Sequence, residues 1–251
     1  MEKVLVFDIW GNYAHFKKIY ATTSALSYPI PFKTAIYGYV SSIIGNSEPN
    51  LNLELDKNDN KYLDSFKEGS CMIGIQLISP IIMQRINTNL RPKFGALGPN
   101  DNRKPTMMEY VYKPHYRIYF YHTENKIYET LRKNLEEHKS YYTPVLGLAY
   151  LISNFKYICE AEINENKNRE LVFIDSVIPK SLFLKFDINN TFEDGNEIVE
   201  TDQYAVEMDN ERNVTKRDDI LFDRKAKPIK ARVTKFYEIN INERKSNIIL
   251  F

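Results

Sequence analysis

Residues 3–45 restrict what this chain can fold into more than any other stretch. Lys3-Val-Leu-Val-Phe-Asp-Ile9 is a short run, almost wholly apolar, and reads as a buried strand. A polar, aromatic loop follows from Trp10 to Tyr28. Pro29-Ile-Pro31 then opens a predicted helix that runs through Ile44 and stops at Gly45. Ile36, Val40, Ile43 and Ile44 fall at i, i+4, i+7 and i+8, a single stripe aimed at a core.

The next elements extend that beginning. Residues 46–68 are polar and loop-like, and Ser70 to Ser79 reads as a second strand. Pro92, Gly95, Gly98, Pro99 and Pro105 mark residues 80–108 as a long hairpin or excursion. Tyr110 to His122 alternates like one strand. Thr123 is placed to cap a helix with Ile127, Leu131 and Leu135 on one face. Tyr141 to Gly147 reads as a turn, and Leu148 to Phe155 as a short apolar segment. Strand patterns return at 171–178, 182–188, 203–208, 232–241 and 247–251. The order strand, helix, strand, excursion, strand, helix predicts an α+β fold. It is the beginning of a split βαβ, ferredoxin-like unit with an insertion before its third strand. The remainder reads as mostly β, and 251 residues suffice for one large domain or a core with an appendage.

Charge is unevenly placed, although the net charge is only +1. No Asp or Glu occurs from Ile9 to Ser47, while His15, Lys17, Lys18 and Lys33 stand there. Between Gly69 and Met108 the sole acid is Asp101, against Arg85, Arg91, Lys93, Arg103 and Lys104. Acids gather in 48–68 and 187–223, and a basic run from Arg224 to Lys227 continues through Lys230, Arg232 and Lys235. Such blocks suit a polyanion on one face and other partners elsewhere, with ordinary solvated faces as the alternative. The acidic 187–223 region then faces another subunit or solvent. No segment has the apolar length of a membrane span, and Met1-Glu2-Lys3 lacks a signal-peptide pattern. Cys71 and Cys159 are far apart, which predicts neither a disulfide framework nor zinc, and a reduced cytoplasmic setting.

The stretch from His15 to Gly38 has the residue types that hold phosphate. Lys17 and Lys18 bring charge, and Thr22, Thr23 and Ser24 bring hydroxyl donors. Tyr20 adds an aromatic ring. The helix behind them has no evident side-chain cap, so its free N–H groups and Lys33 offer a further anion site. An ordinary strand–helix loop, its hydroxyls satisfying local backbone, uses the same residues.

Thr22-Thr-Ser-Ala-Leu-Ser-Tyr-Pro-Ile-Pro-Phe-Lys-Thr-Ala-Ile-Tyr-Gly38, directly after the first strand, resembles the amino-terminal signature of the fifth CRISPR-associated protein family. Within that family it is most similar to the form in subtype I-B-like Cascade complexes. Glu109 to Phe120 is similar to the family strand after its thumb hairpin, and Tyr142-Thr-Pro-Val-Leu-Gly147 to its central turn. The three matches fall in the family's order within the first 155 residues. The resemblance implies an RRM/ferredoxin-like RAMP domain over 1–155 with a β-hairpin thumb at about 81–108, and a small β-rich C-terminal subdomain over 156–251. It implies a non-catalytic subunit in antiviral defence that caps the 5′ handle of the crRNA. Its thumb displaces a base at the first spacer position, and it joins the backbone RAMP subunit to the large subunit. Target DNA is then met indirectly, through the complex, and no membrane is involved. Carried over, the RNA-binding residues are Lys17, Lys18, Tyr20, Thr22, Thr23, Ser24 and Lys33, with Arg85, Arg91, Lys93, Arg103 and Lys104 on the thumb.

Some family members cut pre-crRNA without metal, using a general base and cations around the phosphate. The candidate set for that chemistry here is His115, Lys113 and Tyr37. On a strand, positions 113 and 115 share one face. Pro114 separates the Lys and His that cutting members carry side by side, which weighs against cleavage. No P-loop or GxGxxG is present, and the histidines lack ligand spacing, so neither cofactor nor metal is expected.

Overall fold

A computed structural model describes residues 3–21, 25–45, 65–66, 69–90, 104–187, 195–209, 211, 213–241 and 243–251. The elements are β1 (Lys3–Gly11), β2 (Tyr13–Ala14), β3 (Phe16–Lys17), β4 (Ser27–Tyr28), α1 (Lys33–Ile44), β5 (Cys71–Leu77), β6 (Ile82–Leu90), β7 (Lys104–Tyr112) and β8 (His115–His122). They continue with α2 (Asn125–Glu136), β9 (Ser153–Asn166), β10 (Leu171–Ile174), β11 (Ile178–Pro179), β12 (Phe183–Phe186) and β13 (Ile198–Met208). The last four are β14 (Val214–Asp223), β15 (Ile229–Val233), β16 (Phe236–Ile241) and β17 (Arg244–Ile248).

An antiparallel six-stranded sheet, β17-β16-β9-β1-β8-β5, organises the molecule. Alternation divides the two faces of β1. Leu5, Phe7 and Ile9 share a core with Ile36, Val40 and Ile43 of α1 and with Leu131 and Leu135 of α2. Val4 and Val6 point the other way, onto Tyr119, Ala161, Tyr237 and Ile239. β9 runs through position 155/156, and β16 and β17 extend the sheet beyond it, so residues 236–248 belong to the same sheet as β1. Small three-stranded sheets, β10-β15-β12 and β11-β14-β13, fill the chain between.

α1 begins two residues beyond Pro31. Tyr116 Oη donates to Pro29 O (2.6 Å) and Tyr204 Oη to Pro31 O (2.7 Å), which holds the Pro-Ile-Pro segment extended. The helix closes on Gly45, φ 73°, whose N–H donates to Ser41 O. In α2, Glu124 takes the cap position in place of Thr123, whose N–H donates to Ser70 O. The segment 110–122 divides into the end of β7 and β8, because Lys113 adopts φ 47° and Pro114 has no N–H for a ladder. The excursion is a hairpin of two nine-residue arms, β6 and β7, each about 30 Å long. Residues 91–103 lie outside the described set.

Candidate nucleic-acid interface

The base of the hairpin and the loop after β1 are built into one unit. Lys17 of β3 pairs with Ser27 of β4. Ser27 N–H donates to Glu109 Oε2 (3.1 Å), while Arg85 Nε donates to Glu109 Oε1 (3.4 Å). The Glu109 backbone N–H donates to Ala25 O (2.9 Å), and His15 Nδ1 lies 2.7 Å from Glu109 O. One residue of β7 therefore ties both hairpin arms to the loop. The loop is also held from behind. His15 N–H donates to Leu146 O (3.0 Å), and Gly147, φ 99°, lies flat against the His15 carbonyl.

Among the RNA-binding residues read from sequence, Lys17, Lys18, Tyr20 and Arg85 come together on this unit. Lys17 is exposed. The Lys18 ammonium lies 5.3 Å from the Tyr28 ring centroid and 5.6 Å from that of Tyr20. Thr22, Thr23, Ser24, Arg91, Lys93 and Arg103 lie outside the described residues, as does the side chain of Lys104.

The stretch that lacks acid in sequence gains acid in space. β13 crosses it, and Asp202 Oδ1 accepts from Tyr20 Oη (2.9 Å) and stands 3.8 Å from Lys18 Nζ. Tyr28 Oη donates to the carbonyls of Asp202 (2.7 Å) and Gln203 (3.1 Å). Burial above all, helped by nearby Tyr20 and Asp202, pushes the Tyr28 hydroxyl well up, so it remains a donor. Neither side chain was legible as part of the site, since their contacts arise 174 or more residues away along the chain.

Lys33 is the residue whose reading changes. Its side chain is 4% exposed and its ammonium is bonded to Glu207 Oε1 at 2.7 Å. Tyr204 and Phe32 pack ring against ring over the start of α1. The helix end is uncapped by its own side chains, as expected, but β13 covers it and Lys33 is spent on Glu207. Removing one partner of a buried pair strands the other charge. Lys33→Met should therefore lower unfolding free energy by about 3 kcal/mol in urea titrations, with most of it regained in Lys33→Met/Glu207→Met.

The residues named for cleavage separate. His115 leaves β8 on the face opposite the helices, where Asp8 Oδ2 lies 3.3 Å from Nε2. Arg117 clamps the same carboxylate from Nε (2.7 Å) and Nη2 (3.0 Å). Burial pushes the Asp8 carboxyl up, but the bonds from His115 and Arg117 outweigh it and hold it below the usual range. Tyr37 is 1% exposed on the helix side, stacked on Phe66 with centroids 4.9 Å apart. Lys113 sits in the turn before β8 and not on a strand beside His115. The two still line a common cleft of about 560 Å³ with Trp10, Asn12 and Asn154.

No known protein-family profile matches the sequence, and no curated protein does. Among solved structures, the chain is similar to a CRISPR protein from Archaeoglobus fulgidus, with TM-score 0.52, 11% identity, and 98% of this chain and 99% of that chain covered. It is also similar to a chain of a CRISPR RNA-guided surveillance complex (TM-score 0.42, 10% identity, 91% of each chain). A chain of the type III-B Cmr-beta complex bound to cognate target RNA follows (TM-score 0.41, 10% identity, 91% of this chain and 86% of that chain). The first likeness shows a shared fold, which in this chain is mostly antiparallel β with two α-helices among the described residues.

Proposed function

We propose that this chain is the crRNA-holding subunit of a CRISPR surveillance complex. In this reading the strands β9-β1-β8-β5, with α1 and α2 on one face, form an RRM-like RAMP domain, and β6–β7 is its thumb. The repeat-derived 5′ handle lies along Lys17, Lys18, Tyr20 and Arg85, and the chain joins the backbone subunit to the large subunit. The observation that carries this is the tie at Glu109, which holds the exposed cations of the loop and of the hairpin in one place. The fold shared with the archaeal CRISPR protein supports it. Fluorescence anisotropy with a repeat-handle RNA tests it. Affinity should fall linearly with salt on a log–log scale, with a slope of about −3 for some four phosphate contacts on a single strand. A flat salt dependence, or equal affinity for an uncharged peptide-backbone analogue, would refute it.

In the same reading Asp202 competes with phosphate for Lys18 and Tyr20. Asp202→Asn keeps the acceptor for Tyr20 and removes the charge. Handle affinity should rise about fivefold at low salt, the size expected for one exposed like charge. The rise should vanish when Lys18 is also changed to Glu.

A second reading, a metal-independent endoribonuclease that processes pre-crRNA, draws on the cleft shared by Lys113 and His115. Cognate repeat RNA cut in the presence of chelator, and left whole by His115→Ala, would favour it over the first.

A further inference from the structure

The sheet β10-β15-β12 presents an outer face that neither reading uses. Its inner face is core, with Ile174, Ile229, Ala231 and Val233 at most 1% exposed. The outer face carries Leu171, 39% exposed, and Phe173, 50% exposed. Arg232 stands directly across from Leu171, and Lys230 across from Phe173. Lys185 of β12 pairs with Arg232 from the other side, so one row runs Leu171, Arg232, Lys185. Both Arg232 and Lys185 are exposed. Lys230 lies 5.7 Å from the Phe173 centroid and is neutralised by Asp187 at 2.9 Å.

We infer that this face is a second nucleic-acid contact, for an unpaired strand laid across β10 and β15. Phe173 stands half in water on the edge strand β10, at a cost that burial against a partner would recover. Arg232 and Lys185 sit one strand and two strands away, placed for the backbone of a strand whose base lies on the ring. The chemistry favours nucleic acid over an acidic protein. A carboxylate gains nothing from a phenyl face, whereas every base has a π-face to lay on it. The face is on a different sheet from Lys17, Lys18 and Arg85, so the inference stands independently of the handle reading.

The test silences the first interface and watches the second. The full chain carrying Lys17→Glu/Lys18→Glu is titrated with labelled oligodeoxyuridylate and oligouridylate at several salt concentrations. Residual salt-dependent binding is expected. Phe173→Ala should weaken it about tenfold, and Phe173→Tyr should restore it. Lys185→Glu/Arg232→Glu should flatten the salt slope by about 1.4. Equal binding of both oligonucleotides assigns the site to base and phosphate alone, and a preference for one adds a sugar contact. The inference is overturned by no residual binding, by indifference to Phe173→Ala in a variant that melts like its parent, or by polyglutamate binding as tightly as the oligonucleotides.

Discussion

Reversing Lys17 and Lys18 together should cut handle-RNA affinity on the order of a hundredfold at low salt and reduce the salt slope by about 1.4, the share of two phosphate contacts. The fold leans little on either charge. Lys17 projects from the two-residue strand β3, whose ladder to Ser27 is made by backbone, and Phe16 beside it carries the packing at 3% exposure. Lys18, its side chain 23% exposed, lays its head near two tyrosine rings and 3.8 Å from the exposed Asp202 carboxylate, contacts worth about 1 kcal/mol. The double variant should thus keep its thermal midpoint within a few degrees while binding collapses. Anisotropy and a melting curve on the same sample check both halves. An unchanged affinity would remove the loop after β1 from the interface.

The second large effect concerns the fold. Gly147→Ala should destabilise the chain by about 4 kcal/mol or more, at the limit of what single substitutions do. Two penalties coincide. The backbone sits at φ 99°, where a side chain is strained, and a new Cβ would stand 1.9 Å from the His15 carbonyl oxygen. Relief requires the 142–147 turn and the loop after β1 to part, which breaks the His15 N–H bond to Leu146 O. RNA binding should fall with stability, because His15 also meets Glu109. Gly38→Ala is the matched control. That glycine lies in α1 at ordinary helical φ with nothing within 4 Å of a Cβ, so the variant should gain about 0.5–1 kcal/mol. Urea unfolding of the two variants separates strain from a general intolerance of added methyls.

How far the sequence could be read follows from how local each cause is. The α1 stripe, its stop at Gly45 and the arms of the hairpin were legible, because helical period and the Gly/Pro cluster at 92–105 are local signals. β9 was not. A bulge opposite Val6/Phe7 lets Tyr157 join the helix-side core and Cys159 the other face. Its odd-numbered apolar residues thus serve both faces in turn, and no single alternation marks the strand. β14 was hidden by Lys216, Arg217, Asp218 and Asp219, which read as a solvated run. Of the residues proposed for the interface, Lys17, Lys18, Tyr20 and Arg85 stand out in the sequence by residue type alone, whereas the burial of Lys33 does not. Its partner Glu207, and the Tyr204 ring over the helix start, come from β13, and nothing near Lys33 in the chain announces them.

That distance has a further consequence, in the order of synthesis. Lys33 leaves the ribosome 174 residues ahead of Glu207. At ordinary elongation rates the interval is on the order of ten to thirty seconds. Throughout it Lys33 lacks its buried partner, and the start of α1 lacks the Tyr204 ring that packs on Phe32. The cover over the start of α1 is thus completed late in synthesis, only when β13 has emerged.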